Sequence, residues 1–309
     1  MSLKKSKLGG FEKFNCVPPY ANNIIAIIFI ILAIVCVMPV ILVFMVSISS
    51  EQSIQDFGYS FWPNEFSSQA YSYLYNSKDS ILRAFGVSII VTVLGTIIGL
   101  ILNTTIAYAL SRKNFKFKSF FTWVIFIPML FNGGMISSYI VVSNMLNLKD
   151  TIWALILPMA VSSFNIIILR TFFQTTIPDS LIESAKLDGA NQLRIFTTIV
   201  LPISLPAIAT IGLFLTFAYW NDWYNALLYI DNNTLVPIQA LLNRIQGDIA
   251  FMNQNVSLLG ASAAEILAKL PSESVRMAIV VLVVFPIACS YPFFQKYFIS
   301  GLTIGAVKE

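Results

Sequence analysis

Six long apolar stretches dominate this sequence and limit the folds that it can adopt. An α-helix needs about 20 mostly apolar residues to cross the hydrocarbon core of a bilayer, and each of the six stretches reaches that length. The sequence therefore predicts an all-α membrane protein with six transmembrane helices, at roughly 24–48, 84–110, 119–145, 151–174, 203–229 and 276–299.

The composition agrees with a chain whose solvent is mostly lipid. Hydrophobic residues make up 57% of the 309 residues and charged residues 11%, whereas a soluble domain carries about 25% charged residues. The formal net charge of +4 is small and dispersed, which argues against nucleic acid as a partner. The first apolar stretch is too long for the core of a signal peptide, and no small-residue cleavage site follows it. We expect it to be retained as a helix.

Lysine and arginine residues are unevenly divided between the segments that connect the apolar stretches. If the N-terminus is cytoplasmic, the cytoplasmic segments hold 13 of the 19 basic residues, and the densest cluster is RKNFKFK at 112–118. Cytoplasmic loops of membrane proteins carry such an excess. The pattern predicts a cytoplasmic N-terminal tail at 1–23, a transmembrane domain at 24–299 and a cytoplasmic C-terminal tail at 300–309.

The residues that would carry catalysis or ion coupling are missing. The chain has no histidine, which is the commonest general base and metal ligand. It also lacks the G-x-x-x-x-G-K-[ST] loop that binds phosphate. Cys16, Cys36 and Cys289 have no metal-ligand spacing, so we expect them to be small packing residues. Within the apolar stretches Asp222 stands nearly alone as an ionisable group, which argues against proton or sodium coupling. We expect a non-enzymatic protein without a metal site, which draws its energy from another source.

One polar stretch, PDSLIESAKLDGANQLRIFTTIVLP at 178–202, lies between two apolar ones and has the pattern of two short amphipathic helices. Pro178 suits the first turn of a helix, and Ser180 and Glu183 have the spacing of a capping box. The apolar face predicted for this first helix consists of Leu181, Ile182 and Ala185.

The second helix of this stretch is predicted from its end signals. Gly189 can adopt the left-handed conformation that ends the first helix, Asn191 can cap the second, and Pro202 should stop it. The predicted apolar face consists of Leu193, Phe196 and Val200. Such a helix-turn-helix is either a connector at the membrane surface or a rigid knob that docks on a cytoplasmic partner.

The same stretch resembles the EAA loop of permease subunits in binding-protein-dependent ABC importers. The family pattern is E-A-A-x-x-D-G-A followed by F-x-x-I-x-L-P, and Ser184 stands here in place of the first alanine. The resemblance implies that the loop couples this chain to ATPase subunits. The matching positions are Glu183, Ala185, Asp188, Gly189, Ala190, Phe196, Ile199, Leu201 and Pro202.

Three further segments resemble the carbohydrate branch of these importers, which includes the maltose permease subunits. They are LFNGGMISSYIVV at 130–142, WNDWYNALLYI at 220–230 and QKYFISGLTIGAVKE at 295–309. The resemblance implies the six-helix fold of a type I ABC importer permease in the cytoplasmic membrane of a prokaryote. It also implies a second permease subunit, two ATP-binding subunits and an extracytoplasmic solute-binding protein as partners. ATP and Mg²⁺ would be bound by the partners, and no cofactor by this chain.

Polar residues inside the apolar stretches are candidates for a substrate pathway. Asn132, beside two glycines, either lines a pore or marks close helix packing, and residues 103–105 are expected to form hydrogen bonds between helices. A cluster near the outer end of a span either marks the lipid interface or stacks on sugar rings and binds their hydroxyl groups. This cluster consists of Trp220, Asn221, Asp222, Trp223 and Asn225.

The function predicted from these features is transport of a sugar by an ATP-driven importer, with this chain as a permease subunit. An oligosaccharide is expected, and a neutral one, because aromatic and amide groups suit it and Asp222 would suit only a cation. The outer loop at 231–274 should contact the binding protein, as the resemblance implies. An importer permease for another class of solute, or a channel or scaffold without ATPase partners, is the alternative.

Overall fold

The computed structural model describes residues 19–254 and 272–306, and these ranges are helical apart from loops and one isolated bridge between Ser49 and Phe66. The helices of these ranges are α1 Pro19–Ser47, α2 Glu51–Phe57, α3 Gln69–Asn76, α4 Lys78–Ser111, α5 Lys118–Leu130, α6 Gly134–Tyr139 with a π-helical continuation Ile140–Met145, α7 Ile152–Ala160, α8 Ser163–Thr176, α9 Asp179–Leu187, α10 Gln192–Ile203, α11 Leu205–Trp220, α12 Tyr224–Tyr229, α13 Ile238–Gln254 and α14 Ser272–Ala306.

One compact unit contains α1, α2 and the first residues of α14. Almost every apolar side chain of α1 is exposed, as expected of a helix whose solvent is lipid, because lipid tails are as apolar as leucine. The prediction that the cysteines are packing residues is wrong for Cys36 and also for Cys289 in α14, since both are exposed. Cys16 lies outside the described residues.

Glu51 closes the N-terminal end of α14 within this unit. Its carboxylate accepts hydrogen bonds from the backbone N–H groups of Glu273, at 3.0 Å, and Ser274, at 3.1 Å, and from the Ser274 hydroxyl at 2.9 Å. A carboxylate at a helix N-terminus satisfies donors that have no partner within the helix and complements the helix dipole. The contact joins two segments that are 222 positions apart in the sequence.

The second compact unit is built around α4, which packs against α7, α8 and α11. Gly95 on α4 faces the ring of Tyr219 on α11 so closely that a Cβ atom on Gly95 would lie 2.5 Å from Tyr219 Cζ. The Tyr219 hydroxyl donates a hydrogen bond to the carbonyl of Ile156 in α7 at 2.8 Å. Helices in lipid are usually joined in these two ways: small residues allow the helices to approach closely, and hydrogen bonds form between them.

Asn103 on α4 holds the break between α7 and α8. Its side-chain amide donates to the carbonyls of Gly99, at 2.6 Å, and Ala160, at 2.8 Å, and its oxygen accepts from the N–H of Ser162 at 3.1 Å. The side chain is fully buried. The predicted bonding between helices is thus confirmed for Asn103, whereas the neighbouring threonines bond to carbonyls of their own helix.

Two of the predicted spans, or up to four if bent helix pairs are included, correspond to helices that satisfy the length and composition of a membrane crossing. Among the described residues, α1 and α4 qualify alone, and two bent pairs qualify if each pair is one broken span. These pairs are α7 with α8, bent by 46°, and α10 with α11, bent by 82°. The described residues therefore provide two to four candidate spans, and the number six stays a prediction.

Three predicted spans are interrupted, and the prediction of continuous helices there is wrong. The range 119–145 is broken between α5 and α6, where Gly134 has φ +81° and its N–H bonds to the side chain of Asn132. Glycine favours such a break because it loses more conformational entropy in a helix than any other residue. Asparagine favours it because its side chain competes with backbone carbonyls for backbone N–H donors. The range 151–174 breaks between α7 and α8, and the range 203–229 breaks after Trp220.

The predicted outer loop at 231–274 contains a helix of its own. Helix α13 follows a short 3-10 turn at Asn233–Leu235, and its Ile238, Ala240 and Leu242 are buried. The N–H of Ile238 donates to the Ser88 hydroxyl at 2.8 Å, which attaches the start of α13 to α4. Residues 255–271 of the loop lie outside the described residues.

Candidate functional site

Helix α9 forms the first half of the predicted coupling loop and begins two residues earlier than a capping box at Ser180 would require. Pro178 precedes the helix, Asp179 is its first residue and no side chain caps it, so the predicted capping box is wrong. Proline lacks a backbone N–H and has a preset φ, which allows the helix to start directly after it. The acidic Asp179 then supplies the negative charge favoured in a first turn.

The turn between α9 and α10 has the geometry predicted from Gly189. This glycine has φ +80°, its N–H bonds to the carbonyl of Lys186, and the N–H of Ala190 bonds to the carbonyl of Ala185, both at 3.0 Å. These two bonds define a Schellman motif, which ends a helix and fixes the direction of the chain after it. Asn191 then caps α10 as predicted, with its side chain accepting from the N–H of Arg194 at 2.8 Å.

Helix α10 differs from its prediction at both its face and its end. Leu193 is 70% exposed, so its assignment to the buried face is wrong, and the fully buried residue in this turn is Ile195. A π-helical segment, Phe196–Val200, rotates the later residues relative to a regular α-helix. The helix continues one residue past Pro202 and ends at Ile203.

The tip of the loop is an exposed surface with two projecting leucines. Leu187 is 89% exposed and Leu193 is 70% exposed, and they lie on either side of the turn at Gly189. Glu183 and Asp188 are exposed as well. On the opposite face Ile182, Ala185, Phe196 and Val200 are buried in the core of the second unit. A loop with one face fixed in the core and apolar side chains on its free tip is suited to dock on another protein.

The base of the loop is attached to the end of α4 by contacts that the sequence analysis did not find. The Tyr108 hydroxyl donates to Gln192 Oε1 at 3.1 Å, and the Tyr108 ring lies 5.0 Å from that of Phe196, measured between centroids. Lys113 Nζ lies 2.7 Å from Asp179 Oδ2. The hydrogen bond from Lys113 holds the pKa of Asp179 below its ordinary value and raises that of Lys113. In the sequence, Lys113 indicated only the orientation of the chain in the membrane.

Trp220, in the candidate substrate cluster, is a packing residue. It is 5% exposed, its indole Nε1 donates to the carbonyl of Val283 at 3.2 Å, and its ring lies 6.3 Å from that of Phe85. The Trp220 side chain therefore neither lies at the lipid interface nor lines an open pathway.

The other members of the cluster lie at the break between α11 and α12. Asp222 accepts hydrogen bonds from the backbone N–H of Asn225, at 3.1 Å, and from the Asn225 side chain, at 2.9 Å. These two residues therefore satisfy each other at the start of α12. Trp223 is 42% exposed, and its ring meets that of Tyr224 edge to face at 6.0 Å. The exposed Asn221 accepts from Gln239 Nε2 at 3.2 Å. The structure thus leaves Trp223, Tyr224 and Asn221 exposed in this region.

Asn132 lies in the break between α5 and α6, on a different segment from this cluster. Its side chain accepts from the N–H of Gly134 at 2.9 Å, and Ser137 donates to the carbonyl of Gly133. Residues 131–138 are all exposed. Within the described ranges these small residues therefore do not serve close packing against another helix.

Comparison with known proteins identifies the family. Residues 92–304 match the family described as "Binding-protein-dependent transport system inner membrane component". The chain is 41% identical over 276 residues, 89% of its length and 94% of the relative's, to the polygalacturonan/rhamnogalacturonan transport system permease protein YtcP of Bacillus subtilis (strain 168). It is 38% identical over 276 residues, 89% of its length and 90% of the relative's, to Protein LplC of the same organism.

A solved structure supports the same assignment at the level of the fold. The chain superposes with a TM-score of 0.76 and 30% identity, over 90% of this chain and 96% of the other, on a chain of a bacterial ABC transporter involved in the import of the acidic polysaccharide alginate. The helices of the described residues therefore form a type I ABC permease fold. This chain belongs to the family of inner membrane components of binding-protein-dependent transport systems.

Proposed function

We propose that this chain is a permease subunit of an ATP-driven importer that moves an oligosaccharide into a bacterial cell. The geometry of the predicted coupling loop is the observation that carries the proposal. Its turn is fixed by a Schellman motif at Gly189, its base is bonded to α4 through Tyr108 and Lys113, and its tip presents Leu187 and Leu193. A rigid lever with an apolar tip can transmit the motion of a partner ATPase to the helices that surround a pathway.

The partners in this proposal are a second permease subunit, two ATP-binding subunits and an extracytoplasmic solute-binding protein. The family name includes dependence on a binding protein, and the similar chain of known structure belongs to an ABC transporter. ATP and Mg²⁺ would be bound by the ATP-binding subunits. We assign to this chain the coupling residues Glu183, Ala185, Asp188, Gly189, Ala190, Phe196 and Pro202.

We propose six spans with both termini in the cytoplasm. Helices α1 and α4 are two of them, α5 with α6 and α7 with α8 are broken spans, and α11 and α14 are the last two. Discontinuous helices are tolerated at membrane depth where protein or a cavity satisfies the freed backbone groups, and Asn103 does this at the break between α7 and α8. This orientation is supported by the basic residues, of which 13 lie in the cytoplasmic segments and 6 in the outer segments.

An acidic oligosaccharide is our first choice of substrate. Two similar proteins are named for polygalacturonan/rhamnogalacturonan transport and for import of the acidic polysaccharide alginate. The expectation of a neutral substrate rested on the aromatic and amide groups and in part on Asp222, but this carboxylate is occupied by Asn225 and says little about the charge of a ligand. A neutral oligosaccharide is the second candidate, supported by the exposed aromatic pair Trp223 and Tyr224.

Uptake into proteoliposomes that contain the whole importer and enclosed ATP tests the proposal. We expect uptake to require ATP and the binding protein, and to persist when ionophores collapse the proton and sodium gradients. Oligogalacturonate should compete for uptake, and raffinose should not. Uptake that an ionophore abolishes at constant ATP would refute the proposal, whereas competition by raffinose alone would refute only the acidic substrate.

Variants of the loop test its role in coupling. Leu187→Asn and Glu183→Ala should reduce co-purification of the ATP-binding subunits or uncouple ATP turnover from uptake, with normal amounts of the chain in the membrane. Asp79→Ala is the control, because Asp79 is an exposed carboxylate in the first turn of α4, away from the loop. If both loop variants assembled and transported like the wild type, the loop would be only a connector.

A further inference from the structure

Three basic side chains gather near the start of α5 and the middle of α8, and no acidic side chain of the described residues forms an ion pair with them. Lys116, Lys118 and Arg170 line one open cavity of about 480 Å³. None of the three forms a salt bridge in the described part of the chain, where the nearby Asp179 pairs with Lys113 and Arg112.

Arg170 also has an unsatisfied donor that points to a missing ligand. Its Nε atom is buried and has no hydrogen-bond partner among residues 19–254 and 272–306. A buried donor without a partner costs about 1–3 kcal/mol, and such donors in native proteins are normally satisfied. An anion bound between the three basic side chains would neutralise the cluster, and a shift of the Arg170 side chain would allow it to accept from this buried group.

An apolar groove continues from this cluster along α5 and α8. The groove has a volume of about 310 Å³ and shares Thr122, Trp123 and Arg170 with the basic cavity. Its remaining lining is apolar, and Phe126 lies one turn further along α5 from Thr122. Trp123 is 57% exposed and Phe126 is 37% exposed, so the groove opens to the outer surface of the chain. A basic cavity joined to an apolar groove matches a molecule with an anionic head group and a hydrocarbon tail.

We propose that this site binds one anionic phospholipid of the leaflet on the side of α9. The phosphate is held by Lys116, Lys118 and Arg170, and one acyl chain lies in the groove beside Trp123 and Phe126. Basic pockets between transmembrane helices are known to bind anionic lipid headgroups. Free phosphate would leave the groove empty, and an acidic peptide would leave hydrocarbon surface uncovered. The site thereby ties the position of α8, which leads directly into the loop at α9, to the lipid composition.

Quenching of Trp123 fluorescence by lipids with brominated acyl chains tests this site. The importer, with all its subunits, is placed in vesicles that contain brominated phosphatidylglycerol or brominated phosphatidylcholine, and the signal of Trp123 is obtained by difference from Trp123→Phe. Each basic side chain near an anionic lipid is worth about a five-fold preference. We therefore expect phosphatidylglycerol to quench Trp123 at a mole fraction at least five-fold lower than phosphatidylcholine.

The charge variants separate a specific site from general attraction to an anionic surface. The double variant Lys116→Gln with Lys118→Gln, and the triple variant that adds Arg170→Gln, should bring the preference for phosphatidylglycerol over phosphatidylcholine close to one. Lys113→Gln removes a charge from the same basic segment but outside the groove, and should keep the preference. Equal quenching by the two lipids, an equal loss in Lys113→Gln, or a preference seen for the isolated chain and absent in the full importer would overturn the proposal. The last result would mean that a partner subunit covers the groove.

Discussion

The side-chain oxygen of Asn103 on α4 lies 3.1 Å from the backbone nitrogen of Ser162, the residue at which the chain passes from α7 to α8. The amide of the same side chain reaches the carbonyl of Ala160, on the other side of the break. One asparagine therefore supplies both a donor and an acceptor to backbone groups that the helix break leaves free. Such groups are costly in lipid unless protein satisfies them, so the break depends on a residue 59 positions earlier.

Replacement of this asparagine should destabilise the second unit. Asn103→Leu keeps the volume but removes the three hydrogen bonds, and a buried group left without a partner costs about 1–3 kcal/mol. We expect a lower midpoint in detergent-induced unfolding. Thr105→Ala is the control, because Thr105 is exposed and its hydroxyl bonds only within α4. An unchanged midpoint for Asn103→Leu would show that water satisfies the break.

Two glycines on α4 should respond in opposite directions to the same substitution. In Gly95→Ala the added Cβ would lie 2.5 Å from Tyr219 Cζ, whereas at Gly86 nothing lies within 4 Å. We expect Gly95→Ala to lower the unfolding midpoint, because the ring must move and its bond to Ile156 weakens. Gly86→Ala should be neutral or raise stability by up to about 1 kcal/mol, because alanine favours a helix over glycine. The double variant Gly95→Ala with Tyr219→Leu should recover part of the loss.

The left-handed turn at Gly189 can be tested without a steric confound. Nothing lies within 4 Å of a Cβ built on Gly189, and its φ is +80°, so any cost is conformational. A left-handed conformation costs an L-residue about 1–2 kcal/mol, and asparagine tolerates it better than valine. We expect Gly189→Val to impair co-purification of the ATP-binding subunits and Gly189→Asn to impair it far less. Equal effects of the two variants would point to lost space rather than to backbone conformation.

The exposed aromatic surface at Trp223 should serve transport more than folding. We expect Trp223→Ala to lower sugar uptake, because its face can cover the apolar side of a sugar ring, while Trp223→Phe retains most of it. ATP turnover should remain stimulated by the loaded binding protein in both variants, and Trp223→Ala with Asn225→Ala should be at least as impaired in uptake. If Trp223→Ala lost stability and uptake together, Trp223 would be a packing residue like Trp220.

The orientation can be measured by cysteine labelling on intact cells. In a background without the natural cysteines, Ser68→Cys should react with a membrane-impermeant maleimide, and Ser119→Cys should react only after the cells are permeabilised. Both serines are exposed in the structure, so a failure to react reports the side of the membrane rather than burial. The reverse pattern would invert the orientation derived from the lysine and arginine residues.

The sequence by itself located the apolar stretches and the turn of the coupling loop, because both depend on local properties. Membrane insertion depends on the apolarity of a continuous segment. The left-handed turn at Gly189 and the cap at Asn191 are satisfied by residues within a few positions. These features do not depend on contacts with distant residues. The resemblance of the loop to its family is based on the same local features.

The tertiary structure decided which side of each helix is buried and where the helices break. In lipid both the interior and the surroundings of a protein are apolar, so a pattern of apolar residues does not distinguish the face of Ile90 on α4, which is exposed, from that of Val91, which is buried. The contacts of Asn103 with Ser162, Gly95 with Tyr219 and Trp220 with Val283 join residues 59 to 124 positions apart. Which residues contact each other depends on how whole helices pack, and this packing cannot be read from the local sequence.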